Sequence, residues 1–529
     1  YLFPSLPWIV GALLLCLFVS SPLLFILHEA RQPTTESWHQ LSQADPGGIL
    51  TELGLEEEIP DYSRLYLKTK TTLQLLISVV FLSSFVGVSL AWMISRWQFP
   101  LRNLLSFLLI LPLTIPSYIL ATSFKLITVD YKNSIAVSIR DNWGSQAMME
   151  FDQSWNFILT SLVLSAAFFP YVYLAAKTAF TNLSPSYIEN SRALGLSHSM
   201  SFFKVALPLA RPAIVGGIML VALETLNEFG AMKILGIDTL TTEIFYAWVN
   251  LEDKNSAIRL AGCIMIILLV LLLAEQWLRG GKRFHANRNT NPQPQLHKIT
   301  GIKGIALSSI CGSIFFLTFL LPLSKLFELA ANAFSHESIE RFLPLVGGSV
   351  WLAAKSSVTI LIVGLLLAVA CRKVPHWWMA SLAKTSTLGY AIPGAIIGIC
   401  TLSVIGFLRE YLPATRIIDY LFYGSTYGLM MAYLIRFLAV GFPAIDAGLR
   451  QSERNLVEAA STLQHHSLST FVKVHLPLLK FSLSAGLIML FIDILKELPL
   501  TLILNPSNHE TLATKTYSLF AVEERYTTG

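Results

Sequence analysis

Long apolar runs separated by short polar segments recur along the whole chain. They fall at about 7 to 27, 72 to 95, 104 to 124, 157 to 176, 212 to 232, 256 to 278, 305 to 324, 348 to 370, 386 to 408, 422 to 445 and 481 to 504. Each approaches the ~20 residues a helix needs to cross the hydrocarbon core of a bilayer. The pattern therefore predicts an all-α polytopic membrane protein with eleven spans. Because the runs fill the chain instead of standing at one end, a soluble enzyme with a single anchor is excluded. Residues 7 to 27 have the apolar content of a signal-peptide core, but no small-residue cleavage site precedes His28, Glu29 and Arg31. The run reads as a retained first span.

Composition agrees and adds orientation. Of the 529 residues, 54% are hydrophobic and 13% charged, with a mean hydropathy of +0.59; soluble domains carry about a quarter charged residues. The net charge of +5 matters less than where the charges lie. With the N-terminus in the cytoplasm, segments 96 to 103, 177 to 211, 279 to 303, 371 to 385 and 446 to 480 fall inside and hold 19 of the 38 Lys and Arg. Acidic residues such as Glu56, Glu57, Glu58 and Asp61 gather on the opposite side, as the positive-inside rule requires. Segment 279 to 303 carries Arg279, Lys282, Arg283, Arg288, Lys298 and Lys303 with no acid. Its Gly, Asn and Pro content reads as a cytoplasmic linker between a first half, 1 to 278, and a second, 304 to 529. The five cysteines lie in apolar runs without metal-ligand spacing and read as packing residues.

The halves repeat one another. Glu189-Asn190-Ser191, Gly195 and Leu207-Pro208 answer Glu458-Ala459-Ala460, Gln464 and Leu476-Pro477, each 269 residues on. Both copies lie on one side of the membrane, so the repeats are parallel, which argues against inverted-repeat transporters. Segments 177 to 211 and 446 to 480 are too polar to span. They nevertheless carry apolar residues at helical spacing, Leu194, Leu196, Phe202 and Phe203 in the first, and Leu456, Val457, Leu463 and Leu468 in the second. Ser184-Pro185 has the signature of a helix start, and Pro208 and Pro477 are expected to stop a second short helix. A helix pair with an apolar stripe outside the bilayer calls for a cover, either the chain's own spans or a partner protein.

The two segments resemble the EAA loop of permease subunits in binding-protein-dependent ABC importers. The first copy keeps Glu189, Gly195, Leu207 and Pro208; the second keeps Glu458, Ala459, Ala460, Leu476 and Pro477. The resemblance implies two type I importer transmembrane domains in a bacterial inner membrane, with 11 spans of an expected 12. It also implies that each loop seats in a groove of an ATPase subunit and that a periplasmic binding protein delivers the cargo. The chain has no phosphate loop of the GxxxxGK[ST] type and no catalytic signature. ATP and its Mg would then bind the separate ATPase, two docking loops suggest two copies of it, and the chain itself is expected to be a transporter subunit without catalytic residues.

Within the spans, Glu224 and Glu228 match Asp493 and Glu497, again at an offset of 269. Each pair places two carboxylates on one helical face, with Glu224 ~18 Å from the cytoplasmic start of its span. Ionisable groups at that depth mark a pathway or a gate. Local pairing is the competing reading: Lys496 is placed to meet Asp493, and Asn227 to bond across an interface. Four carboxylates would suit a highly charged cation, held transiently by oxygen ligands, and would repel sulfate, molybdate or phosphate. The segments from Leu223 to Gly230 with Thr239-Leu240-Thr241-Thr242, and from Asp493 to Pro499 with Thr511-Leu512-Ala513-Thr514, resemble the halves of fused ferric-iron permeases. Ile115-Pro116-Ser117 and Ile392-Pro393-Gly394 fit the same pattern. Fused permeases for thiamine or aminoethylphosphonate share the plan, and a cation-coupled secondary transporter is the alternative of another class. Tyr246 and Glu252-Asp253-Lys254 match Tyr517 and Glu523-Glu524-Arg525, so a sixth span of the second half is expected to begin where the chain ends at Gly529.

Overall fold

The computed structural model describes residues 6–29, 31–42, 63–279, 296–333, 339–374, 376–411, 425–451, 476–505 and 510–527. Among them, nine helices are individually long and apolar enough to cross a membrane, and two sharply bent helix pairs bring the number of spans to as many as 11. The two bent pairs are the third runs of the two repeats. Arg102–Thr114 meets Ser117–Trp143 at 94°, and Trp377–Ala391 meets Gly394–Phe407 at 112°. Both breaks fall at an Ile-Pro step, where the residue before proline favours extended backbone and proline lacks the N–H that would continue the helix. Ile115 and Ile392 accordingly have ψ of 123° and 128°.

The described chain divides into two compact units. One comprises Glu36–Tyr246 and Cys263–Glu337. It holds α2 (Arg64–Arg96), α3 (Ser117–Trp143), α4 (Ser145–Thr181), α5 (Pro185–Ala193), α6 (Leu207–Asn227), α7 (Gly230–Ile234), most of α8 (Leu240–Val249) and of α9 (Lys254–Arg279), α10 (Ile302–Phe315) and α11 (Leu321–Ala333). Helices α2, α3 and α6 all pack on α4, which is the central element. Along α2, Ile77, Phe81 and Phe85 recur every four residues on the face turned outward. Such a stripe is tolerable only where lipid is the solvent. A two-residue parallel pairing, Trp97–Gln98 with His297–Lys298, brings the strand after α2 beside the residues before α10.

The other unit comprises Tyr1–Thr35, Ala247–Gly262 and Ser338–Gly529. It contains α1 (Leu6–Glu29), α12 (Ile339–Lys373), α13 (Trp377–Thr385), α14 (Gly394–Tyr411), α15 (Thr426–Gln451), α16 (Leu476–Leu495), α17 (Pro499–Leu504) and α18 (Leu512–Thr527). Helices α12, α15 and α16 pack on one another around Ala368, Ile445, Leu449 and Leu479. The first span packs here, on α12, α13 and α14, while α10 and α11 of the later sequence pack on the 102–108 helix and α3. The compact units thus exchange the opening helices of the two sequence repeats.

Candidate functional site

The first coupling segment is a short helix pair followed by a long span. Ser184 and Pro185 open α5, as expected from proline at the first helical position. Gly195, at φ +87°, closes it: the Gly195 N–H donates to Arg192 O at 2.9 Å and the Leu196 N–H to Ser191 O at 3.1 Å. Such an end needs the left-handed region, where a side chain is strained. The hydroxyls of Ser191 and Ser201, 2.8 Å apart, tie α5 to the turn beginning at His198. Glu189 is exposed and lies within electrostatic reach of the buried Arg96. That guanidinium stands 5.2 Å from the Trp92 ring, which packs on Phe180 at 5.2 Å and Phe202 at 4.8 Å.

Two expectations need correction here. The second short helix does not stop at Pro208; residues 199–227 run on as one span. A π turn over Phe202–Ala206 passes directly into α6, with the Leu207 N–H bonded to Phe202 O. Pro208 therefore sits in the first turn of α6, where its missing N–H costs nothing. The apolar stripe is also narrower than its sequence suggests. Leu194 and Phe203 are 85% and 65% exposed, but Leu196 and Phe202 turn partly inward. In the second coupling segment, Glu458, Ala459 and Ala460 lie outside the described residues. Leu476 and Pro477 open α16 and are exposed.

Both acid pairs sit at the end of the fifth span of their repeat. Glu224 is half-buried on α6 and Asp493 half-buried on α16. Asp493 bonds to Lys496 at 2.9 Å, the local pair foreseen for it. Asn227 is buried, and neither side-chain polar atom has a hydrogen-bond partner among the described residues. Glu228 and Glu497 occupy matched turns. Glu228 accepts from the Ala231 N–H at 2.9 Å, and Glu497 from the Leu500 N–H at 3.3 Å, so each caps the short helix that follows. Beyond the cap the repeats differ. Glu228 accepts a hydrogen bond from the Ser117 hydroxyl, at the first residue of α3. Glu497 instead pairs with Arg436 Nε at 3.2 Å, both side chains being 6% exposed. Each compact unit holds one acid pair, and among the described residues within a unit no three His, Cys, Asp or Glu side chains converge.

The Thr-rich motifs have a structural task that spacing alone did not disclose. The Thr239 N–H donates to Thr242 Oγ1 at 2.8 Å, and the Thr511 N–H to Thr514 Oγ1 at 3.0 Å. In each repeat the next N–H reaches a hydroxyl on the second span, Leu240 to Thr72 at 2.9 Å and Leu512 to Ser349 at 2.8 Å. Arg436, Ser117, Thr72 and Ser349 were not legible as site residues. Aligning Phe169-Pro170 with Phe442-Pro443 would have placed Arg436 opposite Val163 and exposed the difference between the halves.

Residues 83–278 match the family of binding-protein-dependent transport system inner membrane components. A Fe(3+)-transport system permease protein of Haemophilus influenzae is 25% identical over 475 residues, 88% of this chain and 86% of the relative. A ferric transport system permease protein of Actinobacillus pleuropneumoniae is 24% identical over 64% of this chain and 51% of its own length. A sulfate transport system permease protein of Salmonella typhimurium is 29% identical over 37% of this chain and 71% of its own length. Proteins of this family are transport subunits rather than enzymes and work with a separate ATPase and a substrate-binding protein. Residues 83–278 thus carry a binding-protein-dependent transport permease domain, and the apolar helices on either side of it fit a multi-pass membrane protein similar to inner-membrane ABC importer permeases.

Proposed function

We propose that the chain moves ferric iron, handed over by a periplasmic binding protein, into the cytoplasm. The observation that carries this reading is the likeness to the Haemophilus influenzae ferric permease, which runs over 88% of the chain, whereas likeness to the sulfate permease stops at 37%. Charge supports it: Glu224, Glu228, Asp493 and Glu497 along a path or gate would favour a cation, held transiently by oxygen ligands, and repel an oxyanion. The N-terminus lies in the cytoplasm, consistent with the basic segments. Two permease halves, 1 to 278 and 304 to 529, each engage one ATPase copy, through the loops around Glu189 and Glu458. ATP and Mg bind those ATPases, and their closure rocks the halves to alternate access.

Three measurements test this. The binding protein that serves this permease should bind ferric ion; thiamine or aminoethylphosphonate bound in its place would overturn the iron reading. Uptake should stop when the ATPase is removed; uptake that persists and collapses only with a protonophore would overturn the ATP-driven reading. Glu189→Arg should abolish copurification of the ATPase and lower uptake at least about tenfold while the chain reaches the membrane normally, since it places like charge beside Arg96 and inverts the exposed acid. Undiminished uptake would remove Glu189 from the coupling surface.

A further inference from the structure

The second carboxylate of each pair ties together three pieces of its repeat. Glu497 ends the fifth span, caps α17 through the Leu500 N–H and meets Arg436 on α15. Arg436 Nη1 donates in turn to Ile392 O at 3.4 Å, at the residue before the Pro393-Gly394 break. Glu228 ends the fifth span of the first repeat, caps α7 and accepts from Ser117, the residue just after the Ile115-Pro116 break. In both repeats a carboxylate therefore fastens the bent third span to the turn that follows the fifth.

The repeats reach this by different residues, and the differences are concerted. Counting back seven residues from Pro170 and Pro443, both inside their helices, gives Val163 and Arg436, 1% and 5% exposed. Ser117 of the first repeat answers Gly394 of the second. A Cβ on Gly394 would stand 2.6 Å from Glu497 Oε1 and 2.8 Å from Arg436 Nη1. A serine at 394 would thus collide with the carboxylate as well as with the arginine, and fits only where Glu497 is no longer held in place by Arg436. Conversely, a valine at 436 would leave Glu497 buried without its cation, which is far more costly than an exposed loss. Serine with valine and glycine with arginine are two complete solutions to one task.

We propose that Glu228 and Glu497 are pins that hold the bend of the third span, and that Arg436, with the space left by Gly394, is a positioning residue of the transport cycle in the second repeat. The proposal rests on the reading that the acid turns belong to the path or gate, and it divides their labour: the second acid of each pair sets the bend, leaving Glu224 and Asp493 as the acids that face cargo. In the second repeat, release of the bend would separate Glu497 from Arg436 and leave two buried charges apart, so the pair favours one bent arrangement of the third span over others.

The test uses the full chain with its ATPase in proteoliposomes and reads ATP hydrolysis with and without the binding protein. That ratio does not depend on which cargo is carried. Arg436→Val should bring the ratio down at least about fivefold, and adding Gly394→Ser, which copies the first repeat, should restore it to within about twofold. A double variant as impaired as the single one, or a single variant with the parental ratio, overturns the pin. Ser117→Ala strands no charge and should fold; it is expected to lower the ratio at unchanged melting temperature, and an unchanged ratio there also overturns the proposal. Glu224→Gln with Asp493→Asn is read separately, as the cargo concentration giving half-maximal uptake of ferric ion loaded on the binding protein. If that value does not rise, the path reading fails while the pin stands or falls on the hydrolysis ratio alone.

Discussion

Asp253 shows how much one side chain fastens before a span begins. Its carboxylate accepts from Thr35 Oγ1 at 2.6 Å, Ser256 Oγ at 2.7 Å, and the Asn255 and Ser256 N–H groups at 2.9 and 3.2 Å. It is at once the N-cap of α9 and the anchor of the segment that follows α1. Burial alone would raise its pKa, but the hydroxyl bonds from Thr35 and Ser256 and the two N–H groups outweigh that and hold it below the ordinary value. The sign follows: a depressed carboxyl stabilises the fold above its unfolded pKa of about 4, and the contribution is lost as pH falls through the lower folded value. Asp253→Ala should cost about 1 kcal/mol, seen as a lower melting temperature at neutral pH. Asp253→Asn should flatten the acid limb of the melting profile, and an acid limb identical to the parent would remove this carboxyl from the account. The sequence marked Asp253 only as one member of a repeated acidic turn, because a cap is defined by the N–H groups it meets and not by residue type.

Helices as such were legible, but their interruptions were not. An apolar run scores alike whether it is straight or bent, so the 94° and 112° breaks at Pro116 and Pro393 are invisible to hydropathy. The prolines that do not break their helices, Pro170 and Pro443, look no different in sequence. At the two breaks a side chain meets the bend, Glu228 through the Ser117 hydroxyl in the first repeat and Arg436, paired with Glu497, through Ile392 O in the second. The motif Thr-Leu-x-Thr was equally visible and equally mute. Its reciprocal bonds cap α8 and α18, and the hydroxyls of Thr72 and Ser349 satisfy one further N–H in each repeat. Thr72→Val keeps the shape and removes the acceptor, leaving the Leu240 N–H buried without its partner, at a cost of about 1–3 kcal/mol. Hydrogen exchange at the Leu240 amide should quicken accordingly, with the Leu512 amide unaffected. Ser349→Ala should do the converse, and equal protection in variant and parent would show that the hydroxyls are dispensable.

At the scale of the molecule, the sequence repeat does not by itself state which helices pack together. Lipid tails are as apolar as leucine, so a span's composition says that it is in the bilayer and not which neighbour it meets. On α1 the buried residues Ala12, Cys16, Val19, Pro22 and Ile26 fall on one face. That face belongs with the second repeat: Cys400 Sγ lies 3.7 Å from Pro22 O, and Lys373 Nζ stands 5.4 Å from the Trp8 ring. A cavity of about 480 Å³ is lined by Trp8, Gly11 and Leu15 of α1 together with Val363 of α12. A single chain in which the first helix of one repeat packs on the other cannot be divided at its linker into two self-sufficient halves. The arrangement makes a definite prediction. With Trp8→Cys and Lys373→Cys introduced together and a protease site placed in the 280–295 segment, mild oxidation should join the two fragments after cleavage, and reductant should release them. Trp8→Cys paired instead with Ile77→Cys, on the outward face of α2, should give separable fragments before and after oxidation, as both residues lie in the same fragment. Fragments that separate without reductant in the first case would place α1 against its own repeat. Fragments that stay joined would mean that the first span of this permease serves the half of the sequence to which it does not belong.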